Sequence, residues 1–331
     1  MRSALTSLLL AMAAILTSAG RVQGAVAPAE HVRIAGQDYV RLADWAKDNR
    51  LEGTWVKPDE TLLLTNHSTR LVLAVDHREA QVNGIQVWLL FPVVVCNKIP
   101  YITRLDLQAT LLPILYPPKN PSRARVRTIC LDPGHGGKDT GYMIGSNAEK
   151  TYTLLLAQEL RKQLSQAGFK VFLTRSTDEF VELPARPETA RRKKADLMVS
   201  LHFNATDGAR ESAQGAEVYC LTPAGASSTN ARGEGGGEGA FPGNHCNDRS
   251  LFLAYELQSA LSRGLGVEDR GVRRARFAVL RDAVMPATLI EAGFMSHPIE
   301  GRKIFTAAYR QKLARAIVEG VVAYKRQVER P

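Results

Sequence analysis

Arg127-Thr128-Ile129-Cys130-Leu131-Asp132-Pro133-Gly134-His135-Gly136-Gly137 runs from a short apolar stretch into a glycine-rich turn that carries a histidine. Residues 127–131 read as a strand, and residues 150–167 follow as a helix with Tyr152, Leu155, Leu156, Leu160 and Leu164 along one side. Gly168 then sits where a helix C-terminus favours glycine. Further strands are expected at 170–174, 197–202, 216–221, 277–280 and 288–291, with helices at 187–194, 250–263 and 309–327. Strand and helix in alternation predict an α/β fold, a mainly parallel sheet flanked by helices on both faces. In the last helix Leu313, Ile317 and Val321 recur at the spacing of a face packed on that sheet.

Outward from this region the pattern changes. Pro117-Pro118-Lys119-Asn120-Pro121-Ser122 reads as a linker, so the boundary is placed at 117–125 and the α/β domain at 126–327. Before it, residues 28–116 show short β-like runs at 61–64, 70–75 and 85–91, with helices expected at 42–48 and 105–112. Asn83-Gly84 within this region is a hairpin signal, because both residues tolerate positive φ. The region reads as a small α+β module without clustered acids, histidines or thiols.

Residues 1–24 open with Arg2 and an apolar stretch from 4 to 16, followed by small residues, which is the pattern of a signal peptide. The stretch falls short of the roughly 20 apolar residues of a spanning helix, so no stable membrane span is expected after cleavage. The protein is therefore expected to be exported, to the periplasm or to the cell wall and exterior. A net charge of +10 in that compartment favours an anionic wall polymer or membrane surface and disfavours nucleic acid. The four cysteines, Cys96, Cys130, Cys220 and Cys246, lack the close spacing of a zinc ribbon or redox motif. Cys220 and Cys246 are compatible with a disulfide around a Gly-rich loop and equally with two separately buried thiols.

In an open α/β sheet, reactive groups gather where strands end. His135 follows the first strand, His202 closes the strand at 197–201, and Glu291 closes the one at 288–290. Glu149 starts the long helix just after the loop with His135. Two imidazoles and a carboxylate from separate segments form the ligand set of a catalytic zinc that keeps a position for water. Such a zinc brings the pKa of its water towards ~7 and polarises a carbonyl. Glu291 would then carry the proton from water to the leaving nitrogen. Taken singly, a histidine near a loop is usually solvated and a strand-terminal Glu is often a surface residue. Their joint placement on one sheet edge is the more specific signal.

At these residues the chain resembles the zinc-dependent N-acetylmuramoyl-L-alanine amidases of bacterial cell walls, the Amidase_3 family. The likeness covers about residues 126–325. Its parts come in order: Leu131-Asp132-Pro133-Gly134-His135-Gly136-Gly137, Asn147-Ala148-Glu149-Lys150, Leu173-Thr174-Arg175 with Asp178 and Arg186, Ala195 to Ala205 around His202, and Met285 to Ser296 around Glu291. The resemblance implies zinc on His135, Glu149 and His202, a catalytic Glu291, and hydrolysis of the amide between the lactyl group of N-acetylmuramic acid and L-alanine in peptidoglycan. Arg175 and Arg186 have family counterparts, read here as structural.

Some relatives plug the zinc site with a helix that a protein activator moves. The segment 222–249, with Gly233-Glu234-Gly235-Gly236-Gly237-Glu238-Gly239, is too glycine-rich to resemble that helix. It reads as a surface insertion or as a lid whose Glu234 or Glu238 visits the zinc. The N-terminal module resembles the stalk domain named after the amino terminus of copper amine oxidases, through Val82-Asn83-Gly84 and Ile99-Pro100-Tyr101-Ile102. His67 and His77 have no companion ligands for copper, so a spacer or wall-binding role is expected. Arg191-Arg192-Lys193-Lys194 reads as a solvated helix end, and Ser250 as a helix cap. Two other readings stay open: a catalytically silent peptidoglycan-binding regulator, and a zinc peptidase acting within the stem peptide.

Overall fold

The computed structural model describes residues 31–121, 124–208, 210–229 and 239–330. The expected leader at 1–24 and the residues Glu234 and Glu238 lie outside them. The N-terminal module contains β1 (His31–Ile34), β2 (Gln37–Arg41), α1 (Leu42–Asp48), β3 (Glu52–Lys57), β4 (Thr61–Thr65), β5 (Arg70–Ala74), β6 (Glu79–Val82), β7 (Ile85–Trp88), β8 (Val94–Cys96) and β9 (Ile99–Thr103). Asn83 and Gly84 join β6 to β7 with φ of +52° and +84°, the left-handed pair that an Asn-Gly hairpin requires. A helical run over 104–115 follows β9 and includes a π-helical turn.

The second region contains β10 (Thr128–Pro133), β11 (Met143–Ile144), β12 (Asn147–Ala148), α2 (Glu149–Gln166), β13 (Lys170–Leu173), α3 (Ala185–Arg192), β14 (Leu197–Asn204), β15 (Ala216–Leu221), α4 (Asn247–Leu265), β16 (Asp269–Ala275), α5 (Ala278–Arg281), β17 (Ala287–Phe294), α6 (Glu300–Ile304) and α7 (Ala307–Val328). The strand order is β13-β10-β14-β17-β15-β16. Every neighbouring pair in it is parallel except β15 with β17. The mainly parallel sheet is thus present, with one antiparallel step.

Strand periodicity divides the core into two layers. Leu197, Val199, Leu201 and Phe203 of β14 pack into the larger layer with residues of α2, α4 and α7, while Met198 packs into the smaller one with Ala190 of α3 and Val279 and Leu280 of α5. The helices of the first face have 18, 19 and 22 residues, those of the second only 8 and 4. Short helices leave one edge of the second face open, and this position is where the site forms. On α7, Leu313, Ile317 and Val321 are fully buried, each contributing about 1.5–3 kcal/mol.

The two regions share one sheet. β7 pairs parallel with β16 through Val87 and Val272, and the eleven strands continue through β6, β5 and β4 to β3. Trp88 Nε1 donates to Arg270 O at 3.0 Å and Tyr255 OH to Val82 O at 3.1 Å. β1, β2, β9 and β8 form a separate sheet.

Some local expectations differ from the structure. The strand expected at 277–280 is instead the single turn α5 at Ala278–Arg281, with Phe277 as its extended N-cap. The strand is β16, just before it, whose arginines at 270, 273 and 274 hide its pattern. Buried Arg274 satisfies itself partly on Leu221 O at 3.0 Å. Ser250 lies inside the first turn of α4, and its hydroxyl accepts from Ala287 N instead of capping the helix. Cys220 and Cys246 are separate buried thiols. Gly168, at φ +89°, follows the C-cap of α2 as expected.

Candidate metal centre

The loop after β10 is held before any ligand enters it. Gly134 N donates to Leu201 O at 3.0 Å. Buried Arg175 donates to Pro133 O and Gly134 O, and buried Arg186 to Pro133 O and His135 O, all within 2.8–3.1 Å. Arg186 also pairs at 2.9 Å with Asp132, whose carboxylate accepts from Thr174 and Ser200 hydroxyls as well. These two arginines therefore fix the carbonyls of three consecutive residues, the structural role expected for them. The loop needs such fixing because His135 itself adopts φ +62°, a left-handed conformation that costs a non-glycine residue about 1 kcal/mol or more.

That backbone places the His135 ring against Glu149 and His202. His135 Nε2 lies 3.1 Å from Glu149 Oε1, and His202 Nδ1 lies 3.0 Å from the same oxygen. The three ligand atoms fall within 4.8 Å of one another, and this is the metal-capable cluster among the described residues. Two glycines make room for it. A Cβ on Gly134 would lie 2.3 Å from the His202 ring, and one on Gly141 would lie 2.6 Å from Glu149 Oε2 and 2.7 Å from His135 Cδ2.

The donor set fits a metal ion. Bonds of ~2.0–2.1 Å in tetrahedral array put ligand atoms roughly 3.3 Å apart, and the Glu149 oxygen lies 3.1 and 3.0 Å from a nitrogen of each histidine. His135 Nδ1 lies 2.9 Å from Asp139 Oδ1. An ionised Asp139 can only accept, so it favours the proton on Nδ1 and leaves the Nε2 lone pair facing the cluster. Glu149 further accepts from Tyr142 N at 3.1 Å and Phe203 N at 3.2 Å.

The charges reinforce one another. Burial is the largest single influence on Glu149 and pushes its pKa up, but hydrogen bonds and charge from His135 and His202 outweigh it and hold the carboxyl well below the usual range. Burial likewise lowers His135, and Glu149 and Asp139 outweigh it to give a net rise.

Glu291 stands beside the cluster. It pairs in register with His202 across β14 and β17, and with Glu217 across β17 and β15, so all three side chains share the open face. Its Oε2 is buried without a hydrogen-bond partner among the described residues. Desolvation first, then the charges of Glu149 and Glu217, raise its pKa well above the ordinary 4.5. All four expected residues thus meet at one edge.

Reading the sequence missed Asp139, Asn204 and Glu217. Glu217 accepts from Asn204 Nδ2 and Tyr219 OH at 2.8 Å and pairs with Arg270 and Arg273. Asp139 had a signal, an acid four residues after a histidine in a glycine-rich loop. Glu217 had none, because its place depends on the antiparallel register of β15.

This arrangement can be set beside known proteins. The family model described as N-acetylmuramoyl-L-alanine amidase matches residues 129–323. N-acetylmuramoyl-L-alanine amidase AmiA of Escherichia coli K12 is 36% identical over 231 residues, covering 62% of this chain and 79% of the relative. The crystal structure of an N-acetylmuramoyl-L-alanine amidase from Clostridium difficile 630 superposes with a TM-score of 0.51 at 33% identity, covering 61% of this chain and 97% of that one. The CwlD amidase from Clostridioides difficile, solved in complex with the GerS lipoprotein, gives 0.50 at 26% identity, covering 60% and 98%. The chain therefore belongs to the Amidase_3 family of N-acetylmuramoyl-L-alanine amidases.

Proposed function

We propose that the protein cleaves the amide between the lactyl group of N-acetylmuramic acid and L-alanine in peptidoglycan, with zinc held by His135, Glu149 and His202 and the proton carried by Glu291. The observation that carries this reading is the three-ligand cluster with a partnerless carboxylate oxygen of Glu291 beside it. When bound, zinc supplies Lewis-acid polarisation of the carbonyl and acidification of water.

The chain's own groups do the rest. Glu291 takes the proton of the attacking water on a carboxylate oxygen and returns it to the leaving nitrogen. Its raised pKa, caused by burial and by the charges of Glu149 and Glu217, makes the carboxylate a stronger base than an ordinary glutamate, as that transfer requires. Asp139 holds the His135 ring, and Glu149 ties the two histidines together.

Digestion of purified peptidoglycan with and without chelator tests the reading. The products expected from the zinc-loaded protein are peptides with free L-alanine amino termini and glycan with unsubstituted lactyl groups. Cleavage inside the stem peptide would favour a zinc peptidase. Metal-loaded protein that binds the wall without releasing peptides would favour a silent regulator.

The same reading places the protein outside the cytoplasm, in the periplasm or at the cell wall. The leader-like residues 1–24 support this, and no helix among the described residues is long and apolar enough to cross a membrane. A protein activator belongs to the proposal as well, since CwlD was solved with a lipoprotein partner. The stalk-like likeness of residues 28–116 suggests a spacer or wall-contacting module, bounded by 117–125 from the amidase domain at 126–327.

A further inference from the structure

The row of residues that starts at the metal centre does not stop at Glu217. Next to it on β16 stand Arg270, with Nε 3.2 Å from Glu217 Oε2, and Arg273, with Nε 2.9 Å from the same oxygen. The next strand is β7 of the N-terminal module, and its Trp88 ring lies 4.4 Å from the Arg273 guanidinium. His202, Glu291, Glu217, Arg273 and Trp88 thus lie on successive strands β14, β17, β15, β16 and β7. From His202 on β14 to β16 is three strand spacings of about 4.8 Å, and Arg273, opposite Tyr219, sits two residues along from Glu217, for a span of roughly 16 Å. That span corresponds to about five residues of extended peptide at ~3.3 Å each.

The two arginines differ in what they leave free. Arg270 packs on Phe294 at 4.8 Å, and its Nη1 lies 3.7 Å from Glu268 Oε1 and 3.5 Å from Gln214 O. Arg273 uses Nε on Glu217 and Arg270 O, and neither of its Nη atoms has a hydrogen-bond partner among the described residues. Its side chain is 14% exposed, with the guanidinium stacked on the Trp88 indole and held through Nε by the Glu217 carboxylate. Glu217 offers no further acceptor to compete, since its other oxygen already takes Asn204 and Tyr219. A planar guanidinium held in this way, with both Nη groups uncommitted among the described residues, is preorganised for a bidentate carboxylate.

We infer that Arg273, braced by Trp88 and Glu217, is a subsite for a carboxylate of the substrate's peptide, a few residues from the amide that is cut. This rests on the amidase reading for the identity of the substrate, but not for the binding itself. It also makes the N-terminal module part of the substrate site rather than only a spacer, because β7 supplies the ring that holds Arg273.

Equilibrium binding to full-length Glu291→Gln protein tests the inference without turnover. The probes are a soluble disaccharide-tetrapeptide and the same compound with its peptide carboxylates converted to methylamides. About tenfold tighter binding of the free acid is expected, the effect of one charge-assisted bidentate contact. That preference should fall below twofold when Arg273→Gln is added, weaken partly with Arg273→Lys, and shrink with Trp88→Leu. Equal affinity for the two compounds overturns the subsite and needs no Arg273 variant to show it. A preference that survives Arg273→Gln overturns the assignment to Arg273. A preference that depends on Arg273, in a protein whose wild type releases no peptides from the wall, supports the subsite and defeats the amidase reading instead.

Discussion

Asp106 and Glu291 are carboxyls in the two halves of the molecule, the first buried and the second partly buried with one enclosed oxygen, and they are treated in opposite ways. Asp106, in the helical run of the N-terminal module, is fully buried and accepts from Leu90 N at 2.6 Å, Phe91 N at 3.0 Å, Thr103 Oγ1 at 2.7 Å and Thr110 Oγ1 at 3.3 Å. Glu291, at the sheet edge of the amidase half, keeps an enclosed oxygen with no partner among the described residues. Desolvation is the largest influence on both and raises both pKa values. At Asp106 the four donors then pull the value back, whereas at Glu291 neighbouring negative charges push it further. A carboxyl surrounded by donors is a structural tie, and a carboxyl denied them beside a metal-capable cluster fits the proton-carrying role proposed for Glu291.

The contrast is sharpest in the effects of removing each charge. Glu291→Gln should lower kcat on peptidoglycan fragments by about 10²–10⁴-fold, the usual contribution of a positioned acid-base group. Metal content by atomic absorption should be unchanged, because His135, Glu149 and His202 remain. Loss of metal in that variant would give Glu291 a different role. Asp106→Asn should do the reverse, costing about 2–3 kcal/mol of stability in urea titrations because the amide NH2 sets a donor against one of the two backbone N–H groups and leaves it without an acceptor. Its turnover per folded molecule should stay near wild type, and a stability loss below 0.5 kcal/mol (an order-of-magnitude threshold) would remove the contrast.

A smaller effect tests how the cluster is held. Asp139→Asn should weaken zinc binding by about 10–100-fold in competition with a chromophoric chelator, since the second partner of the His135 ring is changed. An unchanged affinity would mean that the backbone alone, fixed by Arg175 and Arg186, orients the ring.

How much of this could be read beforehand depends on range. Strands β10, β14 and β17 were legible because apolar runs end in chemically distinctive residues, and His135, Glu149, His202 and Glu291 came with them. β16 was not, since its arginines are satisfied by carbonyls and carboxylates from β15 that only the folded register brings near. The union of the two regions was equally hidden. A proline-rich stretch at 117–121 reads as a linker whether or not the strands on either side later join, and Val87 opposite Val272 lies 185 residues away in sequence. Asp106 was passed over because an isolated acid in a helix usually faces water, and the loop donors of Leu90 and Phe91 have no sequence signature.

The smallest effect concerns stability against pH and separates the two carboxyls by sign. A group whose folded pKa is raised favours folding below its unfolded value, here near 4.5, and loses that contribution as pH rises through the folded value. Metal-free wild-type protein must therefore carry an increasingly unfavourable Glu291 carboxylate between acid and neutral pH, whereas Glu291→Gln carries none. Glu149, whose pKa is depressed, loses its stabilising contribution on acidification, but it does so in both proteins and cancels in the comparison. Urea midpoints measured in chelator should coincide below pH 4.5 and diverge upward, with the glutamine variant the more stable at pH 8. Asp106→Asn should remain less stable than wild type at pH 8, because the relief of its buried charge is smaller than the loss of an acceptor shared by four donors. A glutamine variant less stable than wild type at pH 8 would mean that Glu291, like Asp106, is a tie and not a poised acid.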